Sequence, residues 1–243
     1  MREFRRTTLQ SDPSMRKPPH RSTSAALLEA PWAADLTDEL RRRVIAETSI
    51  RTVSAGGSVC HKGEPPEHWI GVLRGLVKIV TVSPEGRSIS FIGVPSGGWF
   101  GEGSLLKREP RRYDGIALRD STIAYMPRNT FTLLLDSSVA FNRFLLVQLN
   151  ERLGQFVAMV EYDRLLGPDA RLAKELAGLF NPVLYPGNGN SLPISQEELS
   201  HLVGLSRQRV NRALRRLERM GLVRVGYRSL TILDLEGLRR FED

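Results

Sequence analysis

SQEELSHLVGLSRQRVNRALRRLERMG, Ser195 to Gly221, decides the reading of this chain. It divides into two short helices joined by a tight turn. Ser195 stands at an N-cap with Glu198 three residues on, a capping box that satisfies two orphan backbone donors. Leu199, Leu202 and Val203 follow at helical spacing and face inward. Gly204 can supply the positive φ of a turn, Leu205 fills the corner, and Ser206 caps the second helix. That helix turns Val210, Ala213, Leu214 and Leu217 one way. On its other faces it carries Gln208, Asn211 and six arginines, 207, 209, 212, 215, 216 and 219, against one acid, Glu218. A solvated amphipathic helix pair would show the same apolar spacing. The excess of arginine suits a polyphosphate better than bulk water. The geometry implied is a helix-turn-helix, whose second helix enters the major groove with its N-terminal side chains at the base edges.

The residues after Gly221 sharpen this reading. LVRV (222–225) and LTIL (230–233) have strand character and flank the turn Gly226-Tyr227-Arg228-Ser229, so they predict a hairpin. A hairpin directly behind a recognition helix is a wing, with Tyr227 and Arg228 at its tip within reach of phosphate. Residues 167–243 are therefore expected to form a winged helix-turn-helix domain.

At 243 residues the chain has room for two domains, each with its own core. A formal charge of +8 favours an anionic partner such as nucleic acid, although a membrane surface gives the same signal. No apolar run approaches the roughly 20 residues of a membrane helix. Arg5-Arg6 has no apolar segment behind it, so export is not expected. The single cysteine, Cys60, excludes an internal disulfide framework and any four-cysteine zinc or iron–sulfur site. A cytoplasmic protein fits.

Residues 1–26 are rich in Arg, Ser, Thr and Pro and read as a disordered basic arm, with Met15 an alternative start. A helical patch spans 27–47, with Thr37 as an N-cap. Between 50 and 126, short strand-like runs recur (IRTV, SVCH, HWIGVL, LVKIVTV, ISFIGV, YDGIAL, TIAYM), separated by Gly and Pro turns. That pattern predicts a jelly-roll or β-roll, so 27–138 is assigned to an effector domain with flanking helices. Pro127 suits the first turn of a short helix reaching Leu135. Over 139–165 lies the longest helical pattern. Leu146, Leu149, Leu153, Phe156 and Val160 step by 3 and 4, an a/d seam that a second copy of the helix would cover. The alternative is that the seam packs within the chain. Leu145 and Met159 form an apolar flank facing the β-domain. Leu166-Gly167-Pro168 ends this helix, so 139–166 is the dimerisation helix with its hinge. A further helix (169–180) and an irregular loop (181–192) lead into the helix-turn-helix. The fold class is α+β.

This order, together with W-F-G-E-G-S-L-L (99–106) and S-R-Q-R-V-N-R (206–212), resembles the Crp/Fnr family of bacterial transcription regulators over residues 40 to 240. The resemblance implies a homodimer on a pseudo-palindromic operator in double-stranded DNA, and contact with RNA polymerase. In members that bind cyclic nucleotide, a Gly-Glu pair meets ribose, and about ten residues on an Arg directly followed by Ser or Thr grips the cyclic phosphate. Gly101-Glu102 match, and Arg112 falls at that distance. Glu can accept from a ribose hydroxyl and Arg can fork onto phosphate. Yet Tyr113 and Asp114 follow Arg112, and Phe156-Val157 stand where adjacent Thr and Ser would meet adenine. A degenerate or non-cyclic-AMP pocket is therefore expected, with Glu102 and Arg112 as a structural ion pair; a cyclic-nucleotide-responsive regulator is the alternative.

The family's groove-reading run, Arg-Glu-x-x-x-Arg, is here Arg207-Gln208-Arg209-Val210-Asn211-Arg212. The resemblance makes Arg207 and Arg212 guanine readers, with Gln208 suited to adenine and Asn211 also at the bases. Ser195, Ser206, Arg209, Arg215, Arg216, Tyr227 and Arg228 are assigned to phosphate. No catalytic residue and no metal ligand is expected. A cupin-like metalloenzyme with a DNA-binding appendage would need clustered His and Glu, and the four His stand at 20, 61, 68 and 201. A haem sensor would need an axial ligand; His61, beside Cys60, and His68 lie in or near the roll, but nothing fixes them as ligands and ordinary hydrogen-bonded roles are expected.

Overall fold

The computed structural model describes residues 23–82, 88–187 and 189–242. The expected arm, apart from its last four residues, and the turn at 83–86 lie outside the described residues. Helix α1 (Thr23–Leu28), a 3-10 turn (Pro31–Ala33) and α2 (Asp38–Glu47) open the fold. Thr37 caps α2 by accepting from the Leu40 amide at 3.3 Å, as the sequence predicts.

Eight strands follow: β1 (Ser49–Val53), β2 (Ser58–Cys60), β3 (His68–Arg74), β4 (Leu76–Val82), β5 (Ser88–Pro95), β6 (Trp99–Phe100), β7 (Asp114–Ala117) and β8 (Ser121–Pro127). They form two four-stranded antiparallel sheets, ordered β1-β8-β3-β6 and β2-β7-β4-β5. Alternation along the strands divides the apolar residues between two cores. Ile70, Val72, Phe100 and Ile123 point between the sheets and meet Val77, Ile79 and Val94. Their neighbours Trp69, Trp99, Ala124 and Met126 point outward, beneath the helices. There Trp69 and Trp99 lie 4.3 Å apart, and Trp32 from the 3-10 turn stands edge-on to Trp99 at 5.2 Å. Such aromatic contacts add to the stabilisation that burial itself provides.

Helix α3 (Glu102–Lys107), absent from the sequence reading, follows β6; α4 (Arg128–Ser137) and α5 (Val139–Leu165) follow β8. Helix α5 is apolar on more than one side. Phe141 and Leu145 bury into the outer core and Met159 packs against the inter-sheet core, as expected of the flank. The seam faces elsewhere: Leu146, Leu153 and Val160 are 63%, 62% and 53% exposed, and Phe156 is exposed too. Among the described residues Leu146, Leu153 and Val160 stay largely uncovered, while Leu149 is half-buried.

The break at Leu166 is present, and α6 (Pro168–Gly178) starts one residue before the expected boundary. The C-terminal module contains α7 (Gln196–Val203), α8 (Arg207–Arg219), and a sheet of β10 (Val223–Gly226), β11 (Ser229–Ile232) and β9 (Ser191–Leu192), closed by α9 (Leu235–Arg240). Strand β9 corrects the expected irregular loop: Leu192 pairs with Leu230 and buries in the same core. Earlier in that segment, Leu184 and Tyr185 insert into the inter-sheet core of the roll. Among the described residues no single helix is long and apolar enough to cross a membrane.

Burial in α6 pushes the Glu175 carboxyl up to about 7, against the opposing pull of Arg171 at 3.0 Å. The folded chain thus holds this proton more tightly than the unfolded one, whose value is 4.5. The resulting stabilisation is complete below 4.5 and is lost as pH rises through 7. Glu175→Gln keeps an acceptor for Arg171 without the buried charge. It should raise Tm by a few degrees at pH 8 and leave it nearly unchanged at pH 4.5. Equal shifts in melts at the two pH values would contradict this account of Glu175.

Candidate nucleic-acid interface and effector pocket

The capping box expected at Ser195 is complete. Ser195 Oγ accepts from the Glu198 amide at 3.2 Å, and Glu198 Oε2 accepts from the Ser195 amide at 2.6 Å. Gly204 turns the chain at φ 64°, and Ser206 Oγ accepts from the Arg209 amide at 3.3 Å. Val210, Ala213, Leu214 and Leu217 bury against Leu199, Leu202 and Val203, which fixes the crossing of α7 and α8. Arg207, Gln208, Arg209, Arg212 and Arg215 are then left on the open face of α8, all exposed. Asn211 is half-buried and donates to Gln196 Oε1 at 2.8 Å, which ties the two helices together near the expected reading end.

Arg216 departs from expectation, and Glu218 takes a role the sequence did not assign. Arg216 is bonded to Asp169 at 3.1 Å, and its guanidinium lies 5.2 Å from the centre of the Phe241 ring. It braces α8 against α6 and α9 rather than standing out for phosphate. Glu218, the single acid of the helix, accepts from the Val225 amide at 2.8 Å and so anchors the wing to the recognition helix. At the wing tip Tyr227 is 94% exposed and Arg228 adopts φ 50°.

The second site lies between the β-roll and α5. A cavity of about 310 Å³ is bounded by Phe100, Glu102, Tyr113, Arg152 and Phe156, with Gly101 and Arg112 also in its lining. The expected Glu102–Arg112 ion pair is absent. Arg112 is 73% exposed at its side chain and pairs with Glu109 at 3.1 Å. The buried guanidinium is its neighbour Arg111, which sequence reasoning passed over although the two arginines are adjacent. Arg111 is 4% exposed; Nη2 donates to the His68 carbonyl at 2.6 Å, and Nη1 has no hydrogen-bond partner among the described residues. Gly101 explains its position, since a Cβ there would stand 2.7 Å from Arg111 Nη1. Glu102 Oε2 is likewise buried without a partner.

Arg152 also enters this region from α5, donating to the Tyr185 hydroxyl at 2.9 Å and the Trp99 carbonyl at 3.2 Å. Burial pushes the Tyr113 phenol well above its ordinary range, so it stays neutral. Burial likewise raises the Cys60 thiol to about 11, leaving it protonated, a poor state for a ligand or nucleophile. Among the described residues no three His, Cys, Asp or Glu side chains are grouped as metal ligands.

Glu198 links the two regions. Burial pushes its carboxyl up, but hydrogen bonds from Ser195 and from Arg119 of the roll outweigh that, and it titrates below the usual carboxylate range. Arg119 lies in the turn between β7 and β8, and its Nη2 donates to both oxygens of Glu198 at 2.8 and 2.9 Å.

The pattern described as a cyclic nucleotide-binding domain matches residues 50–138, and that of the Crp-like helix-turn-helix domain matches 170–241. Transcriptional regulator SdrP of Thermus thermophilus is 30% identical over 203 residues, covering 81% of this chain and 96% of that protein. A CRP-like cAMP-activated global transcriptional regulator of Mycobacterium tuberculosis is 27% identical over 188 residues, covering 76% and 84%. FixK2 of Bradyrhizobium japonicum shares the fold with a TM-score of 0.65 at 18% identity, covering 81% of this chain and 98% of that one. A CRP/FNR-family transcriptional regulator of Thermus thermophilus has a TM-score of 0.53 at 27% identity, covering 79% and 96%. With both domains matched in order and the helix-turn-helix intact, the chain belongs to the Crp/Fnr family of transcription regulators.

Proposed function

We propose that the chain acts as a homodimer that reads a pseudo-palindromic operator in double-stranded DNA and contacts RNA polymerase there. The observation that carries this reading is the exposed apolar stripe of α5, Leu146 to Val160, in a chain whose recognition helix is also exposed. A continuous apolar stripe on a long helix is unfavourable in water, and a two-fold pairing covers it with itself. The two recognition helices of such a dimer meet successive major grooves roughly 34 Å apart. In this reading residues 27–138 sense, 139–166 pair, and 167–243 bind DNA. Arg207, Gln208, Asn211 and Arg212 read bases. Ser195, Ser206, Arg209, Arg215, Tyr227 and Arg228 hold phosphate, and Arg216 braces the helix that carries them. The role is regulatory rather than enzymatic, and a cytoplasmic site of action follows from the DNA target. Mapping the chain's binding sites across its host genome tests this: enrichment at inverted repeats upstream of genes is expected, and scattered sequence-independent signal would refute it.

The effector pocket is read as closed to cyclic AMP. Tyr113 and Phe156 narrow the cavity, and Arg152 occupies hydrogen bonds within the fold. Calorimetric titration with cyclic AMP or cyclic GMP should show no heat of binding at physiological concentrations. One observation favours the second reading, a cyclic-nucleotide-responsive regulator: Glu102 and Arg112 both line the cavity beside Gly101, and Glu102 Oε2 is buried with no hydrogen-bond partner among the described residues. Micromolar binding that disappears on Arg112→Ala, at a residue that lines the cavity, would establish that reading instead.

A further inference from the structure

The helix-turn-helix is seated on the β-roll through both ends of α7. At the N-terminal end Arg119 grips Glu198; the two side chains are 20% and 10% exposed. At the other end Ser90 Oγ on β5 donates to the His201 carbonyl at 2.7 Å. Between them Leu202 and Leu179 sit directly over Gly93 of β5, where a Cβ would come within 2.8 Å of Leu179. Leu118, next to Arg119, packs against the core of the DNA-binding module. The loop carrying Arg119 is itself held, since its carbonyl accepts from Ser121 Oγ at 2.7 Å, and the same hydroxyl accepts from the Leu76 amide at 3.3 Å.

Glu198 therefore has two tasks on two sets of contacts. Its bond to the Ser195 amide belongs to α7 alone, and its bonds to Arg119 belong to the domain junction. Separation of the domains would break only the second set. The capping box would survive, the helix-turn-helix would stay folded, and Arg119 would gain water. A charge-assisted contact of this kind is strong when docked and reversible when exposed, which suits a junction with two discrete states.

We propose that Arg119 is a positioning residue for DNA reading: through Glu198 it fixes α7, and with it the recognition helix α8, in one orientation on the β-roll. The inference rests on the dimeric reading above, because only a dimer needs both recognition helices held at a set spacing. A change in the roll that moves the β7–β8 turn is transmitted to DNA affinity by this pair. Neither residue needs to touch DNA or effector.

The test uses the full chain and four variants: Arg119→Gln, Arg119→Lys, Glu198→Gln and the Arg119→Gln/Glu198→Gln double. Glu198→Gln keeps an oxygen for the Ser195 amide, so the cap persists while the charge is lost. DNA affinity is measured by fluorescence anisotropy on an inverted-repeat operator, and hydrogen exchange is followed in β5 and α7 without DNA. Each Gln variant should lose ~10-fold in affinity, as expected when the competent orientation falls to about a tenth of the population. Exchange should rise on the facing surfaces of β5 and α7. The double variant should lose no more than either single one, and Arg119→Lys should recover part of the loss. A merely structural role would lower Tm without this non-additivity. Unchanged or increased affinity, or losses that multiply in the double variant, would overturn the proposal. If the unaltered chain binds no inverted repeat, the dimeric reading fails; unchanged exchange in Arg119→Gln then overturns the positioning role as well, and raised exchange supports it.

Discussion

Changing Leu149 and Leu153 together to Asp is expected to produce a folded monomer that has lost most of its affinity for DNA. Both positions lie on the α5 stripe; Leu153 is 62% exposed and Leu149 half-buried, so the core of a single chain has little stake in either. In a two-fold pair each would be buried twice. Removing a buried leucine costs about 2–5 kcal/mol, and an unpaired buried charge costs more. Four carboxylates facing one another across a dry seam would outweigh the association free energy of the paired helices. Affinity for an inverted repeat should then fall by a factor of about 100 or more, because the second half-site is no longer delivered by the first. Sedimentation velocity reads the outcome directly. A persistent dimer would place the interface somewhere other than this stripe.

A second large effect is expected at the recognition helix, where neighbouring substitutions should differ in kind. Arg207→Ala should cost about 1–3 kcal/mol and relax preference at one guanine in each half-site, because the fork onto O6 and N7 is lost. Gln208→Glu exchanges an amide that both donates and accepts for a group that only accepts. Preference there should move from adenine towards cytosine on the contacted strand, since only the cytosine amino group suits an acceptor alone. Arg215→Ala should weaken all sequences alike and lower the salt slope by about one. Affinities on a panel of single-base operator variants, taken at several salt concentrations, separate these roles. A motif unmoved by Gln208→Glu but altered by Arg215→Ala would reverse the assignment.

Legibility in the sequence followed the range of the interactions involved. The capping box at Ser195, the turn at Gly204 and the caps at Thr37 and Ser206 are local, three or four residues across, and all appear where expected. Strands bounded by Gly and Pro turns were legible for the same reason. Helix α3 escaped because Glu102 to Lys107 is only six residues long and begins behind Gly101, inside a motif read for its chemistry. Strand β9 escaped because two residues, Ser191 and Leu192, become a strand only by pairing with β11 some forty positions on.

The same limit shaped the effector pocket. Arg111 and Arg112 are indistinguishable by spacing, and only the close approach of Gly101 and the carbonyl of His68 decides which one is buried. Arg216 belonged to the outward series of α8 until Asp169 of α6 and Phe241, just past α9, were brought beside it. The Arg119–Glu198 contact spans 79 residues and two domains, beyond anything that spacing can express.

Selection from a pool of random duplexes by the unaltered, full-length chain tests the central claim most directly. Two inverted half-sites with centres one helical turn apart, roughly 34 Å, are predicted, each containing a guanine and an adjacent adenine read by Arg207 and Gln208. Enrichment of a single unpaired half-site, of direct repeats, or of no sequence at all would contradict it.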